Sequence, residues 1–240
     1  MLYLIGLGLN RDGISQFGLE VVKRCKKVYR ENYTVDFPYS DQELIDVIGK
    51  KFVDADREFV ESLEIVDEAK KQDIALLIYG SPLTATTHIT LIQECIATGV
   101  KYKVIYNASI FDAIAETGLQ LYKFGKTASM PKWDKKKHFT PDSFIDIIKE
   151  NQSIEAHTLL LVDIGLEFPE ALEQLKQASQ NKQFKFGKLV ICKELGTVRA
   201  HIFYKTLAEL EKYEAIYKPY CIIIPAKLHF VEREILEGYS

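Results

Sequence analysis

Two glycines near the start of the chain are spaced to bring backbone groups close to a ligand. Gly6-Leu7-Gly8 follows a short apolar run, as a glycine turn does after the first strand of a dinucleotide-binding fold. That fingerprint needs a third glycine, and Arg11 occupies its position. The turn is therefore either a tight connection from a strand to a helix or a place where the backbone contacts a ligand.

A second turn, rich in hydroxyl groups, follows the most apolar run of the sequence, residues 74–79. It contains Gly80-Ser81-Pro82, and Thr84 comes shortly after. Because ligands of open parallel sheets lie beyond the carboxyl ends of strands, the N–H groups and hydroxyls here suit a small polar ligand. Alternatively, Thr86 or Thr87 caps the next helix, and both interpretations can hold at once.

A third turn, Asn107-Ala108-Ser109-Ile110, ends another β-rich run. Ser109 either caps a helix or turns its backbone toward the ligand of the second turn. Both turns follow strands of the same half of the chain, which favours one shared site.

Two further features allow a functional and a structural interpretation. His229 follows the last strand, where a single histidine is more often structural than functional. A basic cluster around Trp133 is either a solvated loop or a contact for an acidic partner protein; it comprises Lys132, Lys135, Lys136 and Lys137.

Apolar periodicity places these turns in an α/β fold. Strand-like and helix-like segments alternate, which predicts parallel strands with helical crossovers. One amphipathic helix is expected over residues 57–71, and another is expected to begin with Thr140 as its N-cap. We expect an N-terminal α/β domain over residues 1–117 with a mostly parallel sheet, and a C-terminal α/β domain over residues 118–240 with a mixed sheet. Two units joined so closely are expected to form a ligand cleft.

Charge and composition restrict the class of protein. Hydrophobic residues make up 47% of the chain and the net charge is −3, so the basic excess of a general nucleic-acid binder is missing. No segment reaches the roughly 18 apolar residues of a membrane span. The first residues lack the features of a signal peptide, so we expect a cytoplasmic protein. Cysteines and histidines lack zinc-site spacing, so no metal is expected.

Several motifs in this order resemble the diphthine synthases, which belong to the tetrapyrrole-methylase class of methyltransferases. The resemblance covers nearly the whole chain, and its most specific stretch is TGLQLYKFGK at residues 117–126. The other motifs are LYLIGLGL at 2–9, GLE at 18–20, ADRE at 55–58, ATTH at 85–88, NASI at 107–110, HTLL at 157–160 and KLH at 227–229.

The resemblance implies two α/β domains with S-adenosylmethionine in the cleft between them, usually in a homodimer. It implies trimethylation of the amino group of a 3-amino-3-carboxypropyl-histidine on translation elongation factor 2, with S-adenosylhomocysteine as the product. Neither a membrane nor a nucleic acid is an expected partner, and no catalytic residue is implied. The positions that match the family's cofactor contacts are Leu9, Ser81, Thr84, Ser109, Ile110, Val162, Leu195 and His229.

Ser81 departs from the family's pattern, in which the second turn is Gly-Asp-Pro. Serine is neutral and shorter than aspartate, so the loss of a charge-assisted hydrogen bond costs roughly 1.5–3 kcal/mol, or about 10–150-fold in cofactor affinity. Two alternatives to diphthine synthesis remain open. One is a related methyltransferase acting on a tetrapyrrole or ribosomal RNA, and the other is a non-catalytic binding protein of the same fold.

Overall fold

Two separate sheets organise the chain, which the computed structural model describes over residues 1–213 and 216–240. The first lies in the unit Met1–Asp112 and the second in the unit Ala113–Ser240, and helices pack on each sheet. This arrangement confirms the α/β class expected from the sequence. The predicted boundary between residues 117 and 118 lies slightly beyond the division between these units.

The first unit is built on a parallel sheet. Its strands are β1 (Leu2–Gly6), β2 (Lys27–Glu31), β3 (Val53–Ala55), β4 (Ile74–Ile78) and β5 (Tyr102–Ile105). They are ordered β3-β2-β4-β1-β5, with every pair parallel. The helices are α1 (Gln16–Arg24), α2 (Asp41–Ile48), α3 (Arg57–Glu61), α4 (Glu64–Ala69), α5 (Ile89–Thr98) and α6 (Ile110–Ala113), whose last residue begins the second unit. The turns after β1, β4 and β5 therefore share one edge of the sheet.

The central strand β4 is buried on both faces, as its unbroken apolar run predicts. Leu76 lies in the core formed with α4 and α5, whereas Leu77 lies in the core formed with α1 and α2. Alternate residues of a strand point to opposite faces, so one short apolar segment supplies both cores. This double burial fixes the position of β4 and hence of the turn that follows it.

The single helix predicted over residues 57–71 is wrong, because the segment forms two helices, α3 and α4. Leu63 between them has a left-handed φ of 66°, which ends one helix and redirects the next. Val60 of α3 and Ile65 of α4 are buried in the same core. The break lets both short helices turn apolar residues toward the sheet, and apolar spacing alone does not reveal it.

The second unit is built on a mixed sheet. Its strands are β6 (Ala128–Met130), β7 (Thr158–Val162), β8 (Leu189–Lys193), β9 (His201–Lys205) and β10 (Tyr220–Ile224). They are ordered β6-β7-β10-β8-β9; β6 and β7 pair parallel, and the remaining described pairs are antiparallel. The helices are α7 (Phe144–Ser153), α8 (Phe168–Asn181), α9 (Leu207–Leu210) and α10 (Phe230–Glu237).

The prediction that Thr140 caps α7 is wrong, because that helix begins at Phe144 after Ser143. The carbonyl of Pro141 accepts a hydrogen bond from the indole Nε1 of Trp133 at 2.9 Å, which holds the preceding segment in a loop. Phe144 and Ile148 then pack into the core between α7, α8 and the sheet. Packing of Trp133 thus overrides the local capping signal.

Across the described residues, no helix combines the length and apolar character that crossing a bilayer demands. In the same residues, His, Cys, Asp and Glu side chains form no group of three or more that could hold a metal ion. All four cysteines are buried free thiols.

Candidate functional site

The turns after β1 and β4 are joined through their glycines. The N–H of Gly8 donates to the carbonyl of Gly80 at 3.1 Å, and the N–H of Gly80 donates to that of Gly8 at 2.9 Å. Both residues have a φ of 71°, a left-handed conformation that favours glycine. The glycines of both motifs therefore have one structural cause, which is to hold the two turns in register just beyond the strands.

A further glycine allows the turns to approach closely. A Cβ at Gly6 would lie 2.6 Å from the carbonyl oxygen of Gly80 and 2.9 Å from the Cβ of Asn107. The hydroxyl of Tyr79 also donates to the carbonyl of Leu9 at 2.9 Å. Side-chain volume at Gly6 would separate the turns, so this position fixes their packing.

Asn107 ties the third turn to the first. Its Nδ2 donates to the carbonyls of Gly6 at 3.0 Å and Gly13 at 2.8 Å. Its Oδ1 accepts the N–H of Ala108 at 2.8 Å. A single amide side chain therefore satisfies backbone groups on both turns, which a carboxylate or an apolar side chain could not do.

Ser109 caps the short helix α6. Its N–H and hydroxyl both donate to the carboxylate of Asp112, at 2.8 and 3.1 Å, and its hydroxyl accepts the N–H of Phe111 at 3.2 Å. The capping interpretation from the sequence is therefore confirmed. These polar groups are already engaged, so a cofactor contact by Ser109 has to use its remaining surface. Ile110 begins α6 and is half-buried.

A buried polar cluster supports the second turn from beneath. Nδ1 of the fully buried His88 lies 3.1 Å from the carbonyl of Pro82, and Nε2 lies 3.3 Å from the hydroxyl of Tyr33. Because a carbonyl only accepts, Nδ1 carries the proton and Nε2 accepts from Tyr33. Glu31, also fully buried, accepts the N–H groups of Tyr33 at 2.9 Å and Thr34 at 2.7 Å.

Burial determines the protonation of this cluster. It lowers the pKa of His88 and raises the pKa of Tyr33 to about 12. The histidine is therefore neutral near pH 7 and acts as a fixed donor to the second turn. The sequence singles out the ATTH motif but gives no sign that its histidine bonds back to Pro82 or meets a residue following β2.

Two backbone donors at this edge have no partner within the protein. In the unit Met1–Asp112, which the structure describes in full, no hydrogen bond reaches the N–H of Leu9 or Ser81. Both residues are nonetheless buried, with only 7% and 8% of their surface exposed. Buried N–H groups are normally satisfied by protein, water or a ligand. Thr84, three residues after Ser81, is half-buried, and its own N–H donates to the carbonyl of Ser81.

These groups fit the chemistry of S-adenosylmethionine. Its adenine nitrogens, ribose oxygens and carboxylate accept hydrogen bonds, and the free N–H groups of Leu9 and Ser81 are donors that need such acceptors. Its amino groups and ribose hydroxyls donate, and the hydroxyls of Ser81 and Thr84 can accept. We therefore define the first-unit site as the turns that carry Leu9, Ser81, Thr84, Ser109 and Ile110.

The other predicted contacts lie at different places in the second unit. Val162 is half-buried at the end of β7, and Leu195 is 3% exposed just after β8. Both strands run antiparallel to β10, so their carboxyl ends share one edge of the sheet. His229 follows β10 and therefore lies toward the opposite edge. Contact of all three with one cofactor stays a prediction.

The surroundings of His229 are those of a helix cap. The side chain is exposed, and its Nδ1 accepts the N–H of Val231 at 3.4 Å at the start of α10. Its own N–H donates to Glu232 at 2.7 Å, which completes a capping box. The structural interpretation of this histidine thus has a physical basis.

Glu232 is the centre of a buried polar network in the second unit. Its fully buried carboxylate accepts the N–H of Gln120 at 3.1 Å, the ammonium of Lys123 at 2.6 Å and Nε2 of His157 at 3.2 Å. Burial by itself raises the pKa of Glu232. The hydrogen bonds from Lys123, His229, Gln120 and His157 outweigh that effect and lower it to about 2.

His157 holds a defined tautomer in this network. The N–H of Ala226 donates to its Nδ1 at 2.9 Å, so the proton lies on Nε2 and points to Glu232. Burial lowers the pKa of His157 despite the carboxylate beside it. The motifs at 117–126, 157–160 and 227–229 therefore meet at one structural network. Their separation along the chain gives no sign of this contact.

Comparisons with known proteins identify relatives along the whole chain. A family model described as tetrapyrrole (corrin/porphyrin) methylases matches residues 1–211. The chain is 36% identical over 274 aligned positions to the "Probable diphthine methyl ester synthase" of Arabidopsis thaliana, covering 100% of this chain and 98% of that protein. It is 34% identical to the "Diphthine methyl ester synthase" of Schizosaccharomyces pombe, covering 100% and 94%.

A solved structure agrees with these sequence matches. The crystal structure of a diphthine synthase superposes with a TM-score of 0.89 at 33% identity, covering 100% of this chain and 95% of that one. The fold similarity therefore extends through both units.

Proposed function

The chain belongs to the tetrapyrrole methylase family and to its diphthine synthase branch, and from this membership we propose that it synthesises diphthine on translation elongation factor 2. Membership makes it an S-adenosylmethionine-dependent methyltransferase of diphthamide biosynthesis. The protein substrate and the acceptor atoms are the parts that we propose.

The proposed acceptor is the amino group of a 3-amino-3-carboxypropyl chain attached to a histidine of the elongation factor. Three transfers convert this amine into a trimethylammonium group. The names of both curated relatives include a methyl ester. We therefore extend the proposal to a fourth transfer, in which an oxygen of the neighbouring carboxylate accepts a methyl group.

The chemistry asks little of the protein's side chains. When bound, S-adenosylmethionine supplies a methyl group already activated by a positively charged sulfur. A reference α-amino group has a pKa of roughly 7.7–8.0, so a useful fraction is neutral near pH 7 and no strong general base is needed. The proton displaced at each N-methylation passes to solvent. We accordingly assign no catalytic residue.

The proposed role of the first-unit site is to bind and orient. The N–H groups of Leu9 and Ser81 would satisfy acceptors of the cofactor, and the hydroxyl of Thr84 would meet a donor. Asn107 and His88 hold the turns in place, so these groups would be arranged before binding. Alignment and exclusion of water then supply the acceleration.

The observation that carries this proposal is the pair of unpartnered N–H groups on buried residues at the carboxyl edge of a parallel sheet. This edge therefore leaves two backbone donors for a ligand. Ligands of such sheets bind at this edge.

The expected homodimer and cytoplasmic localisation are part of the same proposal. Both follow from the sequence and its resemblance to the diphthine synthases. An elongation factor as substrate is consistent with the cytoplasmic localisation. The molar mass in solution would test the dimer.

Methyl transfer to a defined protein tests the function. The purified chain is incubated with S-adenosylmethionine and elongation factor 2 carrying the unmethylated intermediate, and mass spectrometry counts the methyl groups added. We expect three, or four with the ester. Transfer to a tetrapyrrole or ribosomal RNA but not to the factor would favour the related methyltransferase. Calorimetry that detects no cofactor binding at millimolar concentration would leave the non-catalytic binding protein.

A further inference from the structure

Residues 132–139, here called the lysine loop, follow β6 and are anchored by Trp133. Trp133 is 7% exposed; its indole N–H donates to the carbonyl of Pro141 at 2.9 Å, and its backbone N–H donates to Oε1 of Gln174 at 2.9 Å. Gln174 is buried on α8 and also donates to the carbonyl of Pro131 at 3.0 Å. The base of the loop is therefore fixed to the core of the second unit.

The tip of the lysine loop is closed by hydrogen bonds. Asp134 and Phe139 exchange backbone bonds, with N–H to O distances of 2.9 Å from Asp134 and 3.0 Å from Phe139. The carboxylate of Asp134 also accepts the N–H groups of Lys136 at 3.1 Å and Lys137 at 3.2 Å. This arrangement caps one turn of 3₁₀ helix, Lys135–Lys137, and gives the tip a defined conformation.

The charges of the lysine loop are only partly neutralised. Lys132 lies 3.1 Å from Glu170, and Lys137 lies 3.5 Å from Asp134 with its side chain 83% exposed. Lys135 and Lys136 are exposed, and among the described residues neither forms an ion pair. The one acidic residue of the loop is occupied mainly by backbone N–H groups. The tip thus presents positive charge to solvent on a preorganised backbone.

We propose that the lysine loop is a docking surface for an acidic segment of the protein substrate, a proposal that rests on the proposed function. The charge of the tip supports it. The tip is positive although the chain as a whole carries a net charge of −3, and a positive surface is complementary to an acidic segment. A fixed loop loses little conformational freedom on binding, which strengthens a small contact. Exposed charges of this kind mainly accelerate encounter and lose their effect in salt.

A protein segment suits the lysine loop better than a nucleic acid does. Nucleic-acid affinity grows with the number of phosphates contacted, and stable binding takes several cations spread over the surface. The two unpaired lysines at the tip, Lys135 and Lys136, are a small footprint. A short acidic segment needs only this footprint.

The test compares two double variants in methyl transfer to elongation factor 2 bearing the unmethylated intermediate. Lys135→Glu with Lys136→Glu should raise the KM for the factor about 10-fold at low salt, and the difference should shrink as salt is added. The kcat and the calorimetric Kd for S-adenosylmethionine should stay unchanged. Lys51→Glu with Lys101→Glu is the control, because both lysines are exposed and it changes the net charge equally. The control should keep the wild-type KM.

The outcomes separate the two proposals. An active wild type whose KM and salt dependence are unchanged by the loop variant overturns the docking surface and leaves the function standing. An equal rise in both double variants assigns the effect to net charge and also overturns it. Loss of binding to ribosomal RNA with an unchanged KM for the factor would assign the loop to a nucleic acid instead. A wild type that transfers nothing to the factor overturns the function and the docking surface together.

Discussion

Single side chains decide which groups of the first-unit site remain open to a ligand. The side-chain amide of Asn107 forms hydrogen bonds with Gly6, Gly13 and Ala108, and the hydroxyl of Ser109 forms one with Asp112 of α6. The N–H groups of Leu9 and Ser81 are left over. The same short turns thus contain residues that build the site and residues that would contact the cofactor.

Asn107→Asp should destabilise the protein by about 3 kcal/mol, because a carboxylate cannot donate to the two carbonyls that Nδ2 now satisfies. Urea unfolding at pH 7 measures the change. Asn32→Asp introduces the same charge at an exposed position and should stay within about 0.5 kcal/mol of the wild type. Equal stabilities of the two variants would show that Asn107 does not tie the turns together.

Ser81→Asp should strengthen binding of S-adenosylmethionine by about 10-fold or more, since a carboxylate restores charge-assisted hydrogen bonds at the second turn. Calorimetry gives the Kd of each variant. Ser81→Asn, which is neutral and of similar size, should gain much less. An Asp variant that binds no more tightly than the wild type would mean that Ser81 does not face a donor of the cofactor.

Glu232→Gln should change how stability depends on pH. The folded state lowers the pKa of Glu232 from 4.5 to about 2, so the carboxylate stabilises the fold fully above pH 4.5 and loses this effect as the pH falls toward 2. The shift corresponds to about 3 kcal/mol at pH 7. In urea unfolding between pH 5 and 2, the variant should show a shallower loss of stability than the wild type.

Glu209→Gln provides the control for that experiment. Glu209 occupies the same capping-box position in α9, but it is exposed. Its pKa is lowered mainly by hydrogen bonds from the side chain and the backbone of Thr206. Its stability curve should stay close to that of the wild type. If the Glu232 and Glu209 variants gave the same curve, the buried network would not be the source of the pH dependence.

At the scale of elements, strands were more predictable than helix ends. The apolar run at 74–79 predicts β4 within one residue because burial on both faces requires it. The break at Leu63 and the late start of α7 at Phe144 depend on tertiary packing, so local signals missed them. By contrast, Ser40 and Glu43 form a capping box at the start of α2, and this signal is local because both partners lie within four residues.

Gly6→Ala should disrupt the packing of β1 against the second and third turns. The added Cβ would lie 2.6 Å from the carbonyl oxygen of Gly80, and relieving this clash costs about 1–3 kcal/mol. Thermal unfolding should show the loss, and the Kd for S-adenosylmethionine should rise. Gly187→Ala, where a Cβ meets nothing within 4 Å, is the matched control. A Gly6 variant as stable as the control would contradict the close approach.

At the scale of the whole molecule, alternation along the sequence identifies the α/β class but not the order of strands. The orders β3-β2-β4-β1-β5 and β6-β7-β10-β8-β9 come from contacts between distant segments. Of the predicted site, the first and second turns can be identified from the sequence, because each combines glycine with a position directly after an apolar strand. The network around Glu232 was not, since its members lie far apart in the chain.

The central claim is that the carboxyl edge of the first sheet holds the cofactor through open backbone donors. Amide NMR of the protein titrated with S-adenosylhomocysteine tests it most directly, because the N–H groups of Leu9 and Ser81 are observed individually. The account predicts that both signals shift saturably, with the largest changes in the turns after β1, β4 and β5. Saturable binding that leaves Leu9 and Ser81 unmoved would contradict it.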